Sequence, residues 1–370
     1  MAEHSKIEWT DATWNPITGC SVVSPGCTNC YAMKLAGTRL RNHPSRAGLT
    51  DSSRAGPVWN GKVRLNDQWL EQPIHWRRGR NVFVCAHGDL FHEDVPDDWI
   101  DAIFAVMALT PQHNFQVLTK RSARMQEYML KLTHDGAAER LSGAAGARFG
   151  DEADVWVANY INGWSNPSNA RDHGPANGTV PRWPLPNVWM GVSVEDQARA
   201  DERIPDLLAT PAHVRFLSCE PLLGPVNLLV TDHRGHDISA LRGIACDPSD
   251  PDGPDEYYRT GKIHWVIAGG ESGAGARPSN PAWFRVLRDQ CASADVPFHF
   301  KQWGEWHPGD GMGDDIDGSA FGCFDDADRW VHPVQQNFAA TRQTMFRIGK
   351  KRAGRTLDGV THDGMPGERT

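Results

Sequence analysis

Three cysteines, Cys20, Cys27 and Cys30, fall within eleven residues, with Pro25 and Gly26 in the longer gap between them. A loop of that composition can fold back so that three sulfurs point inward, which is the disposition a metal requires. Three thiolates satisfy three irons of a cubane cluster and leave the fourth iron open, whereas a closed structural zinc site needs a fourth protein ligand. The nearest histidines, His4 and His43, stand at no fixed short spacing from the loop. An iron–sulfur cluster is therefore the first expectation, with a zinc site completed by a distant His or Cys, or plain thiol burial, as alternatives. Iron and acid-labile sulfide analysis separates these.

A second set of polar residues recurs at the ends of short apolar runs. Asp89 follows Val82–Ala86, Lys120 and Arg121 follow Phe115–Thr119, and Ser193 and Glu195 follow Val188–Val192. Further along, Glu220 follows Val214–Ser218, Glu271 follows His264–Ala268, and Lys301 lies inside Phe298–Gln302. If these runs are parallel strands, the groups at their carboxyl ends share one face, where ligands bind in parallel α/β barrels.

The elements that must position these groups are legible as an alternation. Seven β-branched or apolar runs, the six with Thr13–Ile17 added, are separated by segments of helical period, the signature of a mainly parallel sheet. Trp99, Ile100, Ile103, Phe104 and Met107 share one helical face behind a Pro96-Asp97-Asp98 opening. Met125, Tyr128, Met129 and Leu132 repeat the spacing, and Asn280-Pro281 opens a helix carrying Trp283, Val286, Leu287 and Cys291. These stripes are core. The expected fold is α/β: a (β/α) barrel, a partial or irregular TIM-type barrel forming one domain over 1–370. Four stretches rich in Gly, Pro, Asp or Asn, at about 37–81, 133–186, 231–262 and 307–344, break the rhythm and read as rim insertions without cores of their own. The pair Gly269-Gly270 allows either close approach to a ligand or a tight turn, and Trp303 and Trp306 either stack on a base or pack.

The chain has 370 residues, 39% hydrophobic and 23% charged, with a formal net charge of −8. Such a balance excludes nucleic-acid binding by overall charge, so any such contact would run through a local basic patch, Arg77, Arg78 and Arg80 or Lys350, Lys351, Arg352 and Arg355. Neither a secretory leader nor a membrane-length apolar run stands out, so the expected location is cytoplasmic, with no membrane partner. In that reducing setting eight cysteines are not a disulfide framework.

Almost end to end, the chain resembles an uncharacterised family first named from bacteriophage genomes and sometimes called the three-Cys-motif phage proteins. The residues that carry the resemblance are Lys6–Pro16, the cysteine loop, Asp89–Pro96, Phe115–Arg121, Gly191–Gln197, Ser218–Pro225, Gly269–Ser272, Phe300–Trp306 and Gly349–Arg355. In architecture it also resembles the radical S-adenosylmethionine (SAM) enzymes: a cysteine loop directly after the first strand of a parallel barrel, with carboxylates at later strand ends. It departs from them in spacing. The gaps here are six and two residues, where that superfamily most often has three and two, and Gly-Gly-Glu follows the sixth strand instead of the second.

The resemblance implies a [4Fe-4S] cluster held by Cys20, Cys27 and Cys30, whose open iron chelates SAM and whose electron breaks a carbon–sulfur bond to generate a 5′-deoxyadenosyl radical. It assigns Asp89 to the SAM amino group, Ser193 and Glu195 to cofactor hydroxyls, and Lys120, Arg121 and Lys301 to an anionic group. Glu220, Glu271 and Lys301 are then candidates for positioning substrate or moving protons. The implied substrate is a small molecule or nucleotide, with nucleic acid as a further partner, and the electron donor and any partner protein are unidentified. Two other classes stay open: a metal-stabilised nucleic-acid- or protein-binding adaptor without catalysis, and a hydrolase using the carboxylates with a divalent metal.

Overall fold

All seven apolar runs form strands, and the pairings are parallel. The computed structural model describes residues 5, 7–163, 182–247, 256–309, 320–331 and 344–367. These group into two compact units, the first drawn from 1–23, 32–192 and 209–215, the second from 24–31, 193–208 and 216–370.

In the first unit, β1 (Ala12–Trp14), β2 (Asn81–Val84), β3 (Asn114–Thr119) and β4 (Val188–Ser193) lie side by side in that order. The expected first strand stops early, at Trp14. Pro16 has no amide hydrogen to give a ladder, and Ile17–Thr18 turns away to pair antiparallel with Arg64–Leu65. Gly19 nevertheless returns to the sheet edge: it makes a parallel bridge with Gly88, and its amide donates to the His87 carbonyl at 3.2 Å. Its φ of +96°, and a side-chain position already filled by the Lys62 carbonyl, admit only glycine.

Helix α1 (Tyr31–Gly37) follows the cysteine loop, and α2 (Asp97–Leu109) connects β2 to β3, opening at Pro96 with Asp97 and Asp98 in its first turn. The stripe residues Ile100, Ile103, Phe104 and Met107 are fully buried. So are Ala105, Val106 and Ala108, outside that stripe, because two more helices cover α2 from its other side. After α3 (Ser122–His134), α4 (Ala137–Phe149) and α5 (Asp151–Ile161) pack on each other and on α2. They occupy the stretch expected to be an irregular excursion at 133–186. On α4 it buries Ala137, Leu141 and Ala145, and on α5 Val157, Tyr160 and Ile161, so α4 buries a single large apolar residue and shows no stripe of them.

In the second unit, β5 (Val214–Cys219), β6 (Trp265–Gly269) and β7 (Phe298–Gln302) are parallel in that order. Helix α6 (Gln197–Ala209) precedes β5, and α7 (Pro281–Ser293) joins β6 to β7 with Asn280 accepting from the Ala282 amide at 3.0 Å. The expected α7 stripe holds at Trp283, Leu287 and Cys291, but Val286 is half exposed. The stretch at 231–262 contributes to a four-stranded antiparallel sheet running from Leu229–Thr231 through Asp237–Ser239 and Ile244–Asp247 to Glu256–Arg259. That at 307–344 contributes to a second sheet of Trp306–Pro308, Phe321–Phe324, Trp330–Val331 and Thr344–Arg347. Residues 164–181, 248–255, 310–319 and 332–343 of the expected insertions lie outside the described residues.

The class is thus mixed α/β with parallel strands and crossover helices, and neither parallel run closes on itself as a complete TIM barrel would. Among the described residues no helix is long and apolar enough to cross a membrane.

Candidate functional site

In the first unit the chain leaves Gly19 into Cys20 and Ser21, and a buried arginine holds both. Arg121 stands just beyond β3 with its side chain 5% exposed. One guanidinium nitrogen, Nη1, lies 2.9 Å from Asp89 Oδ2 and 3.5 Å from Cys20 Sγ, while Nη2 donates to Ser21 Oγ at 2.5 Å. Nε meets both oxygens of Glu93 at 3.0 Å. Burial works against the charge on Arg121, but Asp89, Cys20 and Glu93 outweigh it and raise the pKa above the ordinary arginine value.

Asp89 is fully engaged by protein. Oδ1 accepts from Thr119 Oγ1 at 2.7 Å and the Phe91 amide at 3.0 Å, and Oδ2 accepts from Arg121 and, at 3.3 Å, from the Lys120 amide. Its evident work is to fix Arg121. His92 completes the group: the Asp94 amide donates to Nδ1 at 3.1 Å, so the ring proton sits on Nε2 and points to Ser21 Oγ at 3.1 Å. Burial first, then the Arg121 charge, lowers the His92 pKa, in keeping with a neutral ring.

The remainder of the cysteine loop belongs to the second unit. Pro25–Cys27 is a single 3-10 turn that buries Cys27, whose Sγ lies 3.9 Å from Ser24 Oγ; Cys30 is half-buried. Glu195, beyond β4, accepts from the Gly26 amide at 3.2 Å and pairs at 3.1 Å with Arg203 of α6, both side chains 1% exposed. Arg203 also donates to the Ser193 carbonyl at 2.9 Å. Glu271, beyond β6, accepts from Asn29 Nδ2 at 3.0 Å and from Arg277 through its amide (2.8 Å), Nε (2.9 Å) and Nη2 (2.6 Å). The same Arg277 Nη2 reaches the Pro25 carbonyl at 3.0 Å. Burial pushes the Glu271 pKa up, but the hydrogen bonds and charge of Arg277, with Asn29, hold it below the usual carboxylate range.

A third group is built on Glu220 and Lys301. Lys301 Nζ donates to Glu220 Oε2 at 2.7 Å, and Gln302 Nε2 donates to Glu220 Oε1 at 3.0 Å and Ser272 Oγ at 2.9 Å. Lys301 and Glu220 retain 14% and 17% side-chain exposure, so this pair is reachable from solvent. The glycine pair beside it serves packing: a side chain on Gly270 would collide with the Trp303 carbonyl. Trp303 and Trp306 are also packing residues, buried with their indole N–H groups on the Thr356 and Ala276 carbonyls at 2.8 Å.

None of the eight cysteines is in a disulfide. Burial drives the Cys85 and Cys291 thiols up to about 12 and Cys219 higher still, so these three are inert packing residues. Among the described residues no three His, Cys, Asp or Glu side chains are already arranged to hold a metal ion. What the structure brings together is each part of the loop with its own clamp: Cys20 with Asp89 and Arg121, Gly26 with Glu195, and Pro25 and Asn29 with Glu271.

A model of the family described as "Protein of unknown function (DUF5131)" matches residues 4–366. The chain belongs to that family. No curated protein and no solved structure matches it. In this DUF5131 member, sequence reasoning had overlooked three of the loop-holding residues. Arg203 was detectable as the one charged residue on the α6 stripe of Ala200, Ile204, Leu207 and Leu208. Arg277 and His92 carried no such signal, since each is a single polar residue in a polar loop.

Proposed function

We propose that this protein is an iron–sulfur enzyme in which Cys20, Cys27 and Cys30 ligate a [4Fe-4S] cluster that reductively cleaves S-adenosylmethionine to modify a small-molecule or nucleotide substrate. The supporting observation is that three cysteines within one eleven-residue segment are flanked by charged clamps, two of them buried and the third, Glu271 with Arg277, half-buried. A loop without a ligand to hold gains little from the two ion pairs buried beside it, Asp89 with Arg121 and Glu195 with Arg203, because desolvating such pairs is costly. The donor set suits the group in kind: thiolates are the usual cluster ligands, and Arg121 Nη1 at 3.5 Å favours the thiolate of Cys20. When bound, a cluster with one open iron supplies a one-electron reduction of the SAM sulfonium.

The chain's own residues then divide into two roles. Asp89 and Arg121 orient Cys20, Glu195 and Arg203 hold Gly26, and Glu271 with Arg277 holds Pro25 and Asn29. Those carboxylates position the loop. Glu220 and Lys301, solvent-reachable and already sharing a hydrogen bond at 2.7 Å, are the pair suited to binding substrate and moving a proton. The partial-barrel architecture and cytoplasmic location belong to the same proposal.

A second reading, a metal-stabilised adaptor without catalysis, draws support from the same hydrogen bonds. Asp89, Glu195 and Glu271 are occupied by protein donors, so the wealth of strand-end carboxylates argues less strongly for chemistry than it does in sequence. One experiment separates the two. After anaerobic reconstitution, iron, sulfide and visible absorption report the cluster, and 5′-deoxyadenosine release from SAM after dithionite reduction reports catalysis. Cluster with cleavage supports the enzyme, cluster or zinc without cleavage supports the adaptor, and absence of any bound metal defeats both. Cys27→Ala is expected to lose the cluster while remaining soluble, and full iron content in that variant would count against the assignment.

A further inference from the structure

The second unit contains a cavity of about 390 Å³, a volume suited to a small ligand, and its walls combine two chemistries. Three aromatic rings form one part. Trp283 and Phe324 are 5.2 Å apart and inclined at 65°, and Phe324 and Trp330 are 5.3 Å apart and inclined at 61°. Rings inclined in this way make a corner with π-faces in different directions, not a parallel slot that a flat base could enter. The charged lining consists of Asp196, Asp328 and Arg277.

The charges do not cancel. Arg277 is taken up by Glu271, which it meets through Nε and Nη2 at 2.9 and 2.6 Å. Asp196 caps α6, accepting from the Arg199 amide at 3.0 Å, with the Arg199 guanidinium farther off at 3.7 Å. Asp328 accepts from a neutral donor, Asn280 Nδ2, at 2.7 Å, and no ion pair compensates it among the described contacts. With Asp196 paired to Arg199, the charge left without a cationic partner among the described residues is that of Asp328, so the local potential is negative, and ring faces add to it because the aromatic quadrupole is negative over the face. That sign disfavours anions.

We infer that this cavity binds an organic cation of the quaternary or N-methylated ammonium type, its alkyl groups against Trp283, Phe324 and Trp330 and its charge balanced by Asp328. Pro25 and Arg277 of the loop clamp also line this cavity, but the inference uses none of the three cysteines, and cation binding is read without the cluster.

Such a cation can be a free metabolite or a methylated lysine side chain, and the test distinguishes them. Calorimetric titration of the full chain would use choline, the trimethylated lysine derivative Nα-acetyl-Nε-trimethyl-lysine amide, and 3,3-dimethylbutan-1-ol, the uncharged isostere of choline. Saturable binding of either cation, with the isostere about tenfold weaker or worse, is expected. The tighter of the two cations names the source. Trp330→Leu should weaken binding about tenfold, and Asp328→Asn, a conservative change at an exposed turn that keeps the Asn280 contact, roughly threefold. Equal affinity for the isostere, no saturable binding of either cation, or unchanged affinity in both variants would overturn the inference. Circular dichroism of Asp328→Asn matching the parent keeps its result interpretable should Trp330→Leu fail to fold.

Discussion

Replacing Arg203 by methionine should destabilise the second unit severely, although the side chain touches no solvent and no expected ligand. Glu195 and Arg203 are each 1% exposed and 3.1 Å apart, and Arg203 also donates to the Ser193 carbonyl at 2.9 Å. Methionine preserves much of the packed volume, so the cavity penalty is small. What remains is a buried carboxylate whose guanidinium partner is gone, together with a carbonyl that has lost a donor. Removing one member of a buried pair costs about 3–5 kcal/mol, because the surviving charge has been taken from water without compensation. The double variant Glu195→Gln, Arg203→Met removes the charge as well and leaves an amide oxygen able to accept from Gly26, so it should recover a large part of the loss. Urea denaturation followed by far-UV circular dichroism, run as a double-mutant cycle, measures both. A single-variant loss under about 1 kcal/mol, or a double variant no better than the single, would show that the pair is not the buried clamp described here.

Other consequences follow from the same geometry. Gly19→Ala forces a side chain onto the Lys62 carbonyl at a φ of +96°, and a loss of about 2–3 kcal/mol in urea midpoint experiments is expected; a change within error would mean the loop entry is plastic. Glu271 has a depressed pKa, so its stabilising contribution is present above the unfolded carboxylate value near 4.3 and disappears as pH falls through the lower folded value. The stability gap between wild type and Glu271→Gln should therefore narrow between about pH 5 and pH 2, and a gap that stays constant over that window would refute the linkage. Arg121→Gln removes the cation beside Cys20 and the bond to Ser21 Oγ, so reconstituted iron content should fall well below wild type while the far-UV spectrum is retained. Unchanged iron would separate Arg121 from cluster binding.

Much of the architecture can be read without coordinates, because β-branched runs and helical stripes report directly on burial. All seven parallel strands and the helices opening at Pro96 and Asn280 lie within a few residues of where pattern alone places them. The exceptions have local causes: Pro16 ends β1 early, and the Ala-rich α4 buries too few large side chains to leave a stripe. Among the site residues, the clustering of the three cysteines was legible from spacing, and so was the recurrence of charged groups at strand ends.

What those charged groups do was decided by tertiary structure. Asp89, Glu195 and Glu271 looked alike in sequence to Glu220, each a carboxylate just past a strand. The first three meet Arg121, Arg203 and Arg277, residues 32, 8 and 6 positions away along the chain, and become clamps for the loop. Glu220 meets Lys301 instead, 81 positions away and still open to solvent. Residue type and periodicity determine which groups a strand end presents, since burial of apolar side chains repeats with local backbone geometry. The partner each charge finds is decided by how the chain folds back, whether over 6 positions or 81, and that partner separates a buried clamp from a carboxylate that keeps contact with solvent.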